Sequence, residues 1–218
     1  MREKLILLTI IGLLFSCNQN ENKSVTDQEG VNSKQLNNKI ISKTERQIII
    51  EELQRLQSII ASNNKEKISD VFRFPINNET IGIYVDNKDF NEQLDKNGDK
   101  VTKNMFISFY NDISESIQTE QINQLFKKLD INKLLNKDNL EYTERIKTEP
   151  CHHFYGVKIE NKLVTLTIGT NSNVDYKSKS TSEDEIQEND SSMCEHVMWW
   201  VFTFDGKKLL FKEITGAG

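Results

Sequence analysis

The sequence predicts an α+β domain, and three observations carry that reading. Apolar residues recur at helical spacing from residue 42 to about 129, and from about residue 151 the spacing shortens to two. Asn161-Lys162 and Asp205-Gly206 then punctuate the second region as hairpin turns, Asp-Gly being a strong type I′ signal. Helices followed by an antiparallel meander place the helices on one face of a sheet.

The elements follow in chain order. Met1 to Lys4 are short and charged, Leu5 to Phe15 are mostly apolar, and the small Ser16 precedes Cys17. This is the pattern of an export signal. Its apolar run is too short to span a hydrocarbon core, which takes roughly 20 residues. The polar tract Asn18 to Lys23 follows at once, so the run has no folded context as an internal helix. Leu14-Phe15-Ser16-Cys17 resembles the lipobox of bacterial lipoproteins. The resemblance implies cleavage before Cys17, its diacylation, and a lipid-anchored cell-envelope protein; Asn18 in place of Asp implies the outer membrane of a Gram-negative bacterium. Acyl chains in that number give stable attachment. Residues 18–41 are polar and without period, a composition that cannot offset its own ordering entropy. As a coil this tether reaches roughly 25–30 Å.

The domain is expected over residues 42–218. Ser42 and Glu45 fit a capping box ahead of Ile49, Leu53, Leu56 and Ile60, and Asn63-Asn64 can close that helix. A short second helix with Ile68, Val71 and Phe72 should stop at Phe74-Pro75. Residues 80–85 then read as a strand. Thr102 caps a helix with Met105, Phe106, Phe109, Ile113 and Ile117 on one side, and a further helix carries Ile122, Leu125, Phe126 and Leu129. Glu141, Glu144 and Glu149 read as a solvated face. Strands are expected at residues 154–160, 163–170, 195–204 and 207–214. Residues 171–193 form a polar, acid-rich loop without period.

This order of elements resembles the NTF2-like, or cystatin-like cone, superfamily over about residues 42–216. The long first helix, the segment Ile68 to Pro75 and the closing strands ending at Ile214 carry the resemblance. It implies a curved antiparallel sheet of about four to five strands wrapped on helices, with a pocket inside. Members range from enzymes to empty modules, so the fold does not select a function.

Composition narrows the partners. The chain carries a formal net charge of −5, and loss of residues 1–16 removes Arg2, Lys4 and Glu3, a net +1, leaving −6. A mildly acidic chain with no basic run argues against nucleic acid. It offers no polybasic surface for anionic lipid either, so membrane attachment rests on Cys17.

Four groups of residues bear on chemistry. Cys151 and Cys194 each open a predicted strand, and in an exported protein a disulfide between them is the leading reading. Its loop of about 40 residues would contribute roughly 4 kcal/mol. The sharper alternative notes His152 and His153 beside Cys151, and His196 beside Cys194. Residues i and i+2 share a strand face, so Cys151, His153, Cys194 and His196 can converge as a zinc set, or a Cys–His pair can act as a nucleophile. The C-x-H spacing is not a usual finger spacing. Asp95-Lys96-Asn97-Gly98-Asp99 opens like a calcium loop, but Lys100 stands where Gly is required and Phe106 where a bidentate Glu is required, so a turn into the Thr102 helix explains it better.

The last group is the apolar strand at 195–204. Met198, Trp200, Phe202 and Phe204 share one face, and Val197, Trp199 and Val201 the other. One face should be core; Trp199, Trp200, Met198 and Phe202 are the candidate pocket or interface residues, against a small apolar ligand, an envelope protein or a second copy of the chain. No G-x-S-x-G, H-E-x-x-H, P-loop or dinucleotide fingerprint occurs. The expectation is a non-catalytic binding domain with no cofactor. The alternatives are an inhibitor or immunity-type protein acting through Asp175, Glu183, Asp184, Glu185, Glu188 and Asp190, a metal protein or enzyme built on the Cys/His cluster, and a plain spacer.

Overall fold

The computed structural model describes residues 44–146, 149–173 and 194–218. The expected signal, Cys17, the tether and the body of the 171–193 loop with its acids lie outside them. The domain is α+β. A helical first part leads into a five-stranded antiparallel sheet of order β3-β4-β5-β6-β7, beside a two-stranded ribbon β1-β2.

Helix α1 (Glu45–Ala61) buries Ile49, Ile50, Leu53, Leu56 and Ile60, the face its period announces. Its capping box is two residues displaced from the expected Ser42–Glu45: Thr44 accepts from the Gln47 N–H, and the Thr44 N–H donates to Gln47 Oε1. Ser62 ends the helix, and Asn64 caps α2 (Lys65–Ser69). That helix stops sooner than Phe74-Pro75, because Val71 and Phe72 bond three residues back rather than four and tighten the chain into turns.

The strand expected at 80–85 does not form. Ile76–Asn77 is β1, paired with Lys100–Val101 as β2, and Asn78–Ile81 is a helical turn, α3, stopped by left-handed Gly82. Ile81 and Ile83 are both buried, which produced the strand-like alternation. Among the described residues no strand pairs with them; the Tyr84 N–H donates to Ser116 Oγ instead. Helix α4 (Lys88–Lys96), capped by Asn87, fills a stretch left without an element in the sequence reading. The 95–99 segment is the end of α4 and the expected turn, with Gly98 and Asp99 at positive φ.

Thr102 caps α5 (Lys103–Ser108) as expected, but the apolar stripe continues on a separate helix, α6 (Tyr110–Ser116), after a break at Phe109. Helix α7 (Thr119–Lys128) starts from Gln118 in a left-handed conformation, and a 3-10 turn (Ile131–Leu135) leads to β3 (Asn139–Glu144). Glu141 and Glu149 are exposed, as expected of a solvated face, and Glu144 is half-buried; the strand itself was not expected. It is the sheet's edge and buries only Leu140, too little alternation to show in sequence.

The remaining strands match the period-two region: β4 (Cys151–Glu160), β5 (Leu163–Ser172), β6 (His196–Phe204) and β7 (Leu209–Ala217). The β6–β7 connection is wider than a two-residue type I′ turn. Phe204 pairs with Leu209, and Asp205 Oδ1 accepts from the N–H groups of Lys207 and Lys208. A register slip between Val201 and Phe202 passes over Lys212, a bulge that sharpens local twist. Met198, Trp200, Phe202 and Phe204 all face the helices and are buried. The fully buried Trp200 donates its indole N–H to the Ile117 carbonyl at 3.0 Å. Phe72 bridges from the segment after α2 to β7, its ring 4.8 Å from that of Phe211.

Candidate functional site

Strand register sets the site. His153 pairs with Thr170, and Thr170 pairs with His196, so the three lie in one row across β4, β5 and β6. Residues two apart share a face, so this row belongs with Tyr155, Ile168 and Met198, all buried toward the helices. The helices do not extend far enough to cover it. The α6–α7 corner ends above the row and leaves a cavity of about 420 Å³, with Gln118 and Gln121 overhead and Glu115 and Glu120 at its rim.

Two hydrogen bonds tie corner and sheet together. The Gln118 side-chain amide reaches His196 Nε2 at 2.6 Å. With the amide donating, the neutral imidazole carries its proton on Nδ1. Tyr155 donates its hydroxyl to Gln121 Oε1 at 3.1 Å, and burial pushes that phenol above its ordinary value. The His153 ring lies nearly parallel to that of Tyr155, with centroids 6.4 Å apart. Across the strand pair, Glu144 stands opposite His153 and accepts from Lys128 Nζ at 2.5 Å. That bond raises the Lys128 ammonium above its usual range. The arrangement presents fixed donors and acceptors, with neither lysine nor arginine in the lining.

The cysteines do not join this site. Cys151 and Cys194 are bonded to each other, S–S 2.04 Å, with Cα atoms 5.3 Å apart. The proposed zinc set and the Cys–His nucleophile both required free thiols, so the geometry corrects both readings. Among the described residues no three His, Cys, Asp or Glu side chains gather closely enough to hold a metal ion, the 95–99 turn included. His152 points to the opposite face of the sheet, buried, its Nδ1 without a partner. Of the other candidates, Met198, Trp200 and Phe202 are core, and only Trp199 is partly exposed, on the outer face beside Val197 and Val201.

His153 and His196 thus share a face as their alternation predicts, but with Thr170 and the glutamines as neighbours in place of the cysteines. Thr170, Gln118 and Gln121 were missed. A glutamine on an amphipathic helix carries no local sign that it overhangs a sheet; that follows only from the left-handed break at Gln118. No described helix is long and apolar enough to cross a membrane. No protein-family model, curated protein or solved structure matches the chain.

Proposed function

We propose that the protein is a lipid-anchored component of a bacterial cell envelope whose cone-like, NTF2-type domain binds a small polar molecule without transforming it. The carrying observation is the row His153, Thr170 and His196 facing Gln118 and Gln121 across the cavity. Helices on one face of a twisted antiparallel sheet, with the gap at one end between them, are what supports the cone reading. The hydrogen-bonding side chains around the cavity, whose accessible surface is otherwise mostly carbon, support a ligand that carries hydrogen-bonding groups over the wholly apolar one suggested by the tryptophans, since buried polar groups bind best what completes their hydrogen bonds. The held geometry of His196 and Gln121 lowers the ordering cost of binding.

The test is a thermal-shift screen of the full chain in detergent against polar metabolites, repeated on two variants. Stabilisation by a hit is expected to disappear in His196→Ala and persist in Trp199→Ala. The opposite pattern would move the site to the outer face of the sheet and defeat the proposal.

A further inference from the structure

A second cavity, of about 320 Å³, lies at the opposite end of β6 from His196, where α1, the segment after α2 and the start of β7 meet. Its floor is apolar. Leu56, Phe202 and Leu209 are buried there, and the half-buried Phe211 stands edge-on to Phe202 with ring centroids 5.9 Å apart. Its mouth is charged. Arg55, Arg73 and Lys208 line it against Glu52 and Asp70, three cations to two acids, in a chain whose net charge is −5.

The acids at that mouth are already engaged. Glu52 accepts from two nitrogens of the Arg55 guanidinium, at 2.9 and 3.0 Å, and from the Leu209 N–H at 3.2 Å. Asp70 accepts from Lys103 Nζ at 2.5 Å. Asp205 faces Arg73 and Lys208 from beyond ion-pair distance, and its Oδ1 accepts from the backbone N–H groups of Lys207 and Lys208. Among the described residues, therefore, the Arg73 guanidinium and the Lys208 ammonium reach this apolar hollow with no side chain bonded to them.

We propose that this cavity is a second binding site, for a monocarboxylate bearing an aromatic ring, its carboxylate held by Arg73 and Lys208 and its ring set against Phe202 and Phe211. The planar fork of an arginine matches both oxygens of a carboxylate. A ring on the floor leaves water and continues the edge-to-face packing of the two phenylalanines. Glu52 and Asp70 repel a second negative charge, which disfavours phosphate esters and dicarboxylates. A cationic ligand would meet three cations, and an uncharged one would leave Arg73 and Lys208 unpaired. The volume is at the small end of ligand pockets, about 300–1,000 Å³, so the ligand is compact. A free aromatic acid and the terminal residue of a peptide present this same chemistry. The site stands apart from the His196 cavity and does not depend on what that cavity binds.

The experiment is calorimetric titration of the full chain, in a neutral detergent, with phenylacetate and with N-acetylphenylalanine, the latter standing for a peptide end. At least one should bind. Preference for N-acetylphenylalanine names a peptide terminus as the source, and preference for phenylacetate a free acid. Phenyl phosphate should bind more weakly, and 2-phenylethanol should not bind. Arg73→Gln should keep the melting temperature, because the side chain is exposed and unbonded, yet weaken binding about tenfold, the order of one charge-assisted hydrogen bond. Lys208→Gln should weaken it too, and His196→Ala should leave it unchanged. Binding by neither acid overturns the inference, as does binding indifferent to Arg73→Gln and Lys208→Gln. Equal binding of 2-phenylethanol or tighter binding of phenyl phosphate overturns it as well. Loss of binding in His196→Ala would move the ligand to the first cavity and overturn the second site.

Discussion

At the scale of single residues, Gly169 is under the tightest constraint near the site. A Cβ there would stand 2.4 Å from the His196 carbonyl oxygen and 2.6 Å from the ring of Phe154, which lies across the glycine on the outer face. Overpacking of this kind usually costs about 1–3 kcal/mol. Gly169→Ala is therefore expected to lower the denaturation midpoint, and to do so even in a Phe154→Ala background, because the nearer obstacle is backbone. Full recovery in the double variant would show that the ring alone sets the constraint. Asp205 is constrained differently. The backbone N–H groups of Lys208 and Lys207 bond its carboxylate and hold it below the ordinary aspartate range. A lowered folded-state value stabilises above the unfolded value, and the benefit fades as pH falls through the folded one. Asp205→Ala should lower the melting temperature at neutral pH, with the gap closing below about pH 4. A gap that stays constant in acid would contradict this account. The histidines show how far one residue can be read in sequence. Alternation places His153 and His196 on defined faces, but which face meets the helices depends on register, a long-range property.

At the scale of elements, the disulfide matters more for what it staples than for what it could have catalysed. Cys151 opens β4, while Cys194 precedes β6, and β5 runs between those strands. The bridge closes a separation of 43 residues, for which chain entropy assigns roughly 4 kcal/mol. His196 begins β6 two residues beyond the bridge, so the staple also holds the imidazole that Gln118 contacts. Replacing both cysteines with alanine should cost about that stability and loosen β6 unevenly. Amide exchange should quicken more at residues 196–198 than at 202–204; uniform quickening would mean that the bridge stabilises globally and leaves the site unaffected. Strands β4, β5 and β6 were legible because each buries alternate residues over much of its nine or ten positions, whereas β7 buries only Leu209 and Ile214 and was legible through the turn residues Asp205-Gly206 ahead of it. Strand β3 buries one of six residues, and α4 two of nine, leaving periodicity little to register. The single helix expected after Thr102 became α5 and α6 because apolar spacing persists through the break at Phe109, where the chain leaves helical geometry.

At the scale of the whole molecule, the change of period from helical to two near residue 150 was enough to fix the α+β class, since either kind of element must bury its apolar face on another. The groove at the α6–α7 corner was not legible, because it depends on where helices stop over a sheet. The membrane anchor is the converse case: its argument is wholly local, resting on Leu14 to Cys17. If Cys17 carries the acyl chains we propose, attachment is expected to depend on that one sulfur, because the acidic sequence holds no run of basic residues to replace it. Expressed in a Gram-negative host with labelled palmitate, the wild-type chain should take up label and partition into detergent on cloud-point separation. Cys17→Ser should lose the label and move to the aqueous phase, while domain melting stays unchanged because the described fold begins at Thr44. Label or detergent partitioning surviving in Cys17→Ser would remove the lipoprotein assignment, yet leave the groove as a binding site in a protein held elsewhere.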